Sequence, residues 1–206
     1  MTTKWVFKFS YFRKKTYLCR NFFFLKGNMK TIELNGRKFQ VSIPESEILR
    51  GIDRVAEQIK QDFKDKNPLF IAVLNGSFMF ASDLMKAVDI KSEITFVRLS
   101  SYSGMESGGS VAQMFGLDMD ITGRSIVIIE DIVDSGLTMD VMIKLLNEKQ
   151  AGDIHIATLL FKPYALKHQV PITYPVFEIP NDFVIGYGLD YDGYARNLRD
   201  IYTLVE

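Results

Sequence analysis

Residues Ile126 to Met139, reading IVIIEDIVDSGLTM, join an apolar run, three carboxylates and a hydroxyl-bearing turn in one continuous stretch. Ile126, Val127, Ile128 and Ile129 form a β-branched run of the kind expected in a parallel strand covered on both faces. That strand is expected to end where its polarity changes. Glu130, Asp131 and Asp134 then crowd three negative charges into five positions, a costly grouping unless cations or sugar hydroxyls neutralise it. Asp134, Ser135, Gly136, Leu137 and Thr138 follow, combining small donors with a glycine able to take positive φ. The segment Leu137 to Gln150 repeats apolar side chains at Leu137, Val141 and Leu145 and at Met142 and Leu146, which predicts a helix whose first turn aims free N–H groups at an anion. Spacing alone also allows an ordinary strand-to-helix turn with an acidic cap.

The segments around it repeat the same alternation. Ile48, Ile52, Val55, Ile59 and Phe63 follow helical spacing between Pro44 and Lys66, with Ser46 available near the N-cap. Leu69 to Leu74 reads as a strand, Asn75-Gly76-Ser77 as a turn and Phe78 to Val88 as a helix. Ile94 to Leu99 alternates as a strand, and Ser100 to Ser110, rich in glycine and serine, reads as a mobile loop. Val111 to Phe115 returns as a strand. Ile154 to Phe161 supplies another after Gly152 closes the preceding helix. The pattern implies an α/β fold with a mostly parallel central sheet flanked by helices. From Pro171 onward, proline, aromatics and short β-like runs read as a small hood.

At 206 residues the chain suits one such domain without staples. A single cysteine, Cys19, excludes an internal disulfide framework, and the isolated His155 and His168 offer no zinc spacing; surface or loop positions without a role are expected for both. Cysteine usage reads as cytoplasmic. Residues 1–28 carry seven basic residues and no acids, leaving 18 basic against 25 acidic residues beyond, net −7. An acidic body argues against nucleic-acid binding. Charges interrupt every apolar run in residues 1–28, so no membrane span is expected there. Met29 begins a sensible cytosolic start, MKTIELNGRKF, and the basic, aromatic extension before it is expected to be non-native or disordered. A domain over residues 29–206 with a hood from the terminal segments is the expected organisation. A basic arm for membrane surfaces or RNA is the competing reading of the extension.

The order of four apolar residues, two acids, two apolar residues, then Asp, a hydroxyl residue, Gly, any residue and Thr resembles the phosphoribosyl pyrophosphate (PRPP) motif of the type I phosphoribosyltransferases. Four further segments resemble the hypoxanthine, or 6-oxopurine, branch, from about Thr31 to the C-terminus. Val73 to Phe80, VLNGSFMF, resembles its pyrophosphate loop, with Asn75 and Gly76 in the turn. Many members carry lysine where this chain has Asn75. Ser101-Tyr102 resembles the catalytic flexible loop that closes over the site and keeps water out. Lys162 aligns with the lysine that donates to purine O6; an ammonium cannot accept from an adenine amino group. Within NDFVIGYGLDYDGYARNLRD, Phe183 would stack on the purine and the Val184 backbone would read its N1 edge. Asp190 would help hold magnesium, and Arg196 would grip pyrophosphate oxygens.

The resemblance implies transfer of the 5-phosphoribosyl group from PRPP to N9 of hypoxanthine, and of guanine, in purine salvage. Glu130 and Asp131 would bind the ribose hydroxyls directly or through Mg2+, Ser135 to Thr138 the 5′-phosphate, and Asp134 would serve as general base at N7. It implies a homodimer or homotetramer. Two other readings stay open: a PRPP- or nucleotide-sensing regulator on the same fold, and an enzyme for xanthine or another base.

Overall fold

The computed structural model describes residues 30–103 and 110–205. Its centre is a six-stranded sheet built from β3 (Leu69–Val73), β4 (Glu93–Ser103), β5 (Ser110–Phe115), β6 (Ile126–Val133), β7 (Ile154–Phe161) and β8 (Ile172–Glu178). The strands run in the order β5-β4-β3-β6-β7-β8, all neighbours parallel except the β4–β5 pair. The period-two alternation of strand side chains sorts each strand between two cores. Phe70, Ala72, Val127 and Ile129 point to the side covered by α1 (Glu45–Asp62) and α2 (Phe78–Val88). Leu69, Ile71, Ile126 and Ile128 point to the side covered by α3 (Leu137–Glu148), through its Met139, Met142 and Leu146. Each such fully buried side chain is worth about 1.5–3 kcal/mol of hydrophobic stabilisation, so the apolar runs of β3 and β6 are read as central strands because both faces are paid in burial.

A second sheet, antiparallel, has the order β1-β2-β10-β9, from β1 (Thr31–Leu34), β2 (Arg37–Ile43), β9 (Val184–Ile185) and β10 (Ile201–Leu204). β1 and β2 turn through Asn35 and Gly36, both at positive φ (50° and 73°), as a two-residue hairpin with right-handed strand twist requires. Phe39, Ile185 and Tyr202 form its own small core.

Several expectations are corrected here. β6 does not stop at the polarity change but runs through Glu130 and Asp131, because its backbone ladder with β7 continues to Val133 opposite Phe161. Only the two ends of the stretch expected as a loop at 100–110 are described, and they are strand: β4 extends to Ser103, which pairs with Ser110 of β5. Ser46 does not cap α1; the Glu45 N–H donates to Asp200 Oδ1 at 3.0 Å, so a carboxylate from the far end of the chain holds the helix start. Gly152 does not close α3, which ends at Glu148 with Lys149 as its C-cap and Gln150 at φ 57°. Gly152 is needed instead because a Cβ there would meet the Gly123 and Arg124 carbonyls at 2.8 and 2.9 Å. The chain from Pro171 is not all hood: β8 is the sixth strand of the central sheet. His155 sits in β7, edge-on to Phe63 (5.2 Å) and stacked on Tyr174 (6.0 Å), a packing position rather than a loop. Among the described residues no helix is long and apolar enough to cross a membrane. The extension 1–28 lies outside the described residues.

Candidate active site

The C-terminal ends of the parallel strands carry the polar groups, as the switch-point logic of open α/β sheets requires. Glu130, on β6, is buried and its Oε2 has no hydrogen-bond partner among the described residues. Burial first, and then the neighbouring Asp131, push its carboxyl well above the usual carboxylate range. Burial likewise raises Asp131, although the Ile132 N–H donates to its Oδ1 at 2.8 Å. Two adjacent carboxylates, Glu130 buried with an orphaned oxygen and Asp131 partly buried, suit a hard cation or sugar hydroxyls.

Asn75 and Gly76 lie directly across from this pair. A Cβ on Gly76 would sit 1.4 Å from Asp131 Oδ2, so only glycine allows the turn after β3 to approach the acid. On its other side the Gly76 carbonyl packs against Gly188, where a Cβ would lie 2.0 Å from that oxygen. Asp190 and Arg196 follow on the same C-terminal segment and pair at 2.6 Å; Arg196 also donates to the Gly188 carbonyl at 2.7 Å, and the Gly193 N–H donates to Asp190 at 2.8 Å. These groups, with Thr138 and Leu99, line one cleft of ≈ 320 Å³. Glu130, Asp131 and Asp190 share it without converging: among the described residues no group of three acids, histidines or cysteines is spaced to hold a metal unaided.

Beside this cleft a hollow of ≈ 90 Å³ is lined by Glu130 and by Asp134, Ser135, Gly136, Leu137 and Thr138. Gly136 precedes α3 at φ 81°, and a Cβ there would meet the His168 carbonyl at 2.7 Å. The Lys167 and His168 N–H groups donate to the Ser135 carbonyl at 2.9 and 3.0 Å, which pins the turn from behind. The first-turn N–H groups of α3 have no partners within the helix, and an anion in the hollow would meet them.

Lys162, just past β7, is buried, and its Nζ donates to Asp134 Oδ2 at 3.0 Å. Its N–H donates to the Val133 carbonyl, fixing the residue beside the end of β6. Phe183 is 45 % exposed, with Phe39 and Tyr191 at 6.3 and 5.7 Å behind it, a supported ring with a free face. Val184 of β9 pairs with Thr203 of β10, and β9 is the edge of its sheet, so among the described residues no strand adjoins its outward backbone groups. Ser101 and Tyr102 have backbone positions in β4 opposite Ala112 and Val111. Residues 104–109, the rest of that expected loop, lie outside the described residues.

Sequence reading missed three relationships: the Lys162–Asp134 pair, the Gly188–Gly76–Asp131 stack, and a partly buried hydrogen bond from the Tyr187 hydroxyl to Asp83 of α2. Only the Gly-Tyr-Gly spacing at 186–188 offered a signal for the last two. A larger apolar hollow of ≈ 570 Å³, between β8, β10 and the start of α1, includes Val184 but neither Lys162 nor Asp134. It is not where these polar groups converge.

Comparison with known proteins decides the family. The pattern of the phosphoribosyl transferase domain matches residues 44–192, which spans the strands, turns and acids just described. The chain belongs to the phosphoribosyltransferase family. Among phosphoribosyltransferases it is 40% identical over 163 residues to the hypoxanthine-guanine phosphoribosyltransferase of Streptococcus pyogenes, covering 79% of this chain and 91% of that protein. It is 38% identical over 185 residues to that of Mycobacterium tuberculosis, covering 86% and 87%. A crystal structure of a hypoxanthine phosphoribosyltransferase from Staphylococcus aureus superimposes with a TM-score of 0.74 at 35% identity, covering 80% of this chain and 90% of the other.

Proposed function

We propose that this phosphoribosyltransferase moves the 5-phosphoribosyl group of PRPP to N9 of hypoxanthine or guanine, forming the nucleoside monophosphate and releasing pyrophosphate. The observation that carries the choice of base is the Lys162–Asp134 pair, a donor and an acceptor held 3.0 Å apart at the ends of neighbouring strands. A 6-oxopurine offers O6 as acceptor and N7 beside it on one edge. Lys162 Nζ meets O6, and Asp134 meets N7. Adenine sets an amino donor against the ammonium, a mismatch that in a site built for the opposite polarity discriminates on the order of 10⁴-fold.

The hollow under α3 takes the 5′-phosphate on the amides and hydroxyls of Ser135 to Thr138. Glu130 and Asp131 take the ribose hydroxyls. The turn at Asn75–Gly76 and the Arg196 guanidinium take the pyrophosphate; Asn75 brings no charge to that turn, so Arg196 is the cation that faces it. Phe183 stacks on the base and Val184 reads its N1 edge through the backbone. As N9 attacks C1′, the C1′–oxygen bond to pyrophosphate breaks with its electron pair leaving on the pyrophosphate, and the N7 proton passes to Asp134. Fixed placement of both reactants supplies much of the remaining acceleration.

The buried Glu130 carboxylate with its unpartnered oxygen, beside the partly buried Asp131, fits Mg2+, which prefers one or two carboxylates plus substrate oxygens to an all-protein cage. Glu130 and Asp131 would hold it, with Asp190 near the leaving group once Arg196 turns to the pyrophosphate. When bound, magnesium neutralises charge on the departing pyrophosphate. Ser101 and Tyr102 close over the reacting centre in this reading, and the assembly is a homodimer or homotetramer. Incubation with PRPP, magnesium and hypoxanthine tests the function: inosine monophosphate is expected, adenine is expected to give no comparable product, and absence of product from both bases overturns it.

A further inference from the structure

Tyr187 is one of the largest fully buried side chains in the molecule, yet it stands in the left-handed region at φ 49°, between Gly186 (95°) and Gly188 (101°). A bulky residue in that region is strained and persists where surroundings over-determine it. Here they do so at three points. The Tyr187 N–H donates to the Leu198 carbonyl at 2.8 Å, the ring joins the core beneath α1 and α2, and the hydroxyl donates to Asp83, six residues into α2. Burial and the hydrogen bond to Asp83 both hold the phenol in its protonated, donating form.

The two ends of this bond matter because of what each carries. Asp83 belongs to the helix that begins directly after the Asn75–Gly76–Ser77 turn, and Ser77 ties that turn to β3 through its hydroxyl on the Val73 carbonyl at 2.6 Å. Tyr187 belongs to the segment whose next residue, Gly188, lies against the Gly76 carbonyl and exchanges two hydrogen bonds with Arg196: Gly188 N–H to the Arg196 carbonyl at 2.9 Å, and Arg196 Nη1 to the Gly188 carbonyl at 2.7 Å. A change in the spacing between α2 and residue 187 therefore moves Arg196 relative to the turn.

We propose that the Tyr187–Asp83 hydrogen bond is a positioning strut that sets the gap between the Asn75–Gly76 turn and Arg196, and so tunes the grip on pyrophosphate rather than on the purine. It rests on the pyrophosphate assignment made above for that gap. Tyr187 and Asp83 touch no substrate in this account. They act through Gly188 and Gly76.

The test uses the full chain. Tyr187→Phe removes only the hydroxyl; Asp83→Ala removes its acceptor together with the i,i+3 pair that Asp83 makes with exposed Lys86 at 2.8 Å, so Tyr187→Phe is the cleaner of the two. In both, KM for PRPP in the forward direction and for pyrophosphate in reverse is expected to rise about fivefold or more, with KM for hypoxanthine within twofold of the parent. The double variant is expected to be no worse than either single one, and Asp83→Asn, which keeps an acceptor oxygen, is expected to recover most of the loss. Hydrogen exchange at amides 74–77 is expected to quicken in Tyr187→Phe whatever the protein's substrates are, so the strut is read independently of turnover, and failure of the parent protein to use PRPP would count against the function alone. Equal rises in KM for purine and PRPP, additive effects in the double variant, or unchanged exchange at 74–77 would overturn the strut.

Discussion

Lys162 and Asp134 form an ion pair at 3.0 Å across the ends of two adjacent parallel strands, the ammonium buried and the carboxylate half exposed. In the proposed reaction a purine oxygen would compete with Asp134 for the lysine, and the exposed side of the carboxylate is where a base edge would arrive. Asp134→Asn keeps the shape and removes the proton acceptor. Turnover is expected to fall by roughly 10²- to 10⁴-fold, with nucleotide affinity within a few-fold of the parent; steady-state kinetics beside a binding isotherm checks both, and unchanged turnover removes Asp134 from the base role.

Glu130 is buried with an orphaned oxygen and with Asp131 beside it, an arrangement that opposes folding until a cation or sugar compensates it. In ligand-free protein at neutral pH, Glu130→Gln is expected to raise stability by about 1–3 kcal/mol while weakening PRPP binding in magnesium. Urea unfolding and calorimetry on the same preparations read the two effects. A variant both less stable and equally able to bind would contradict the assignment.

Gly76 has no room for a methyl group, which would lie 1.4 Å from Asp131 Oδ2. Gly76→Ala is expected to push the turn from the acid, costing roughly 1–3 kcal/mol and raising KM for PRPP more than for the purine. Thermal melts and substrate kinetics test this; a variant of parental stability and KM would show that the turn does not pack as described.

Asp153 offers a test away from the cleft. The Ser125 hydroxyl, and then His155 and Lys66, hold its carboxyl down at about 2. Because the folded value lies below the ordinary one, the stabilisation is present above about pH 4 and disappears as pH falls through about 2. Unfolding free energies of the parent and Asp153→Asn are expected to differ at pH 5 and to converge towards pH 2. A gap independent of pH would contradict the pairing.

The sequence made the central strands legible because β3 and β6 bury both faces, leaving no alternation to confuse with a helix, and Phe78–Val88 and Ile154–Phe161 were readable to the residue. It misled where tertiary partners set the boundary. The end of β6 follows its ladder with β7, not the polarity of Glu130, and β8 reads as hood in the sequence because Pro175 and the aromatics of an edge strand resemble an accessory segment. Within the site, residues near in sequence were grouped by motif. Lys162 and Asp134, 28 positions apart, were assigned to different atoms of one base without their pairing being visible, because parallel-strand register brings them together and no local pattern records it. Tyr187 with Asp83 was hidden for the same reason.

In the proposed function the β6–α3 turn, with Glu130 and Asp131 at its rim, cradles PRPP beside magnesium. Titration of PRPP into the folded protein by calorimetry, with and without magnesium, addresses it most directly. Saturable binding that magnesium strengthens, and that is lost when Thr138→Val and Ser135→Ala are combined, is the predicted result; no heat of binding under either condition, from protein that unfolds cooperatively in a control melt, would contradict it.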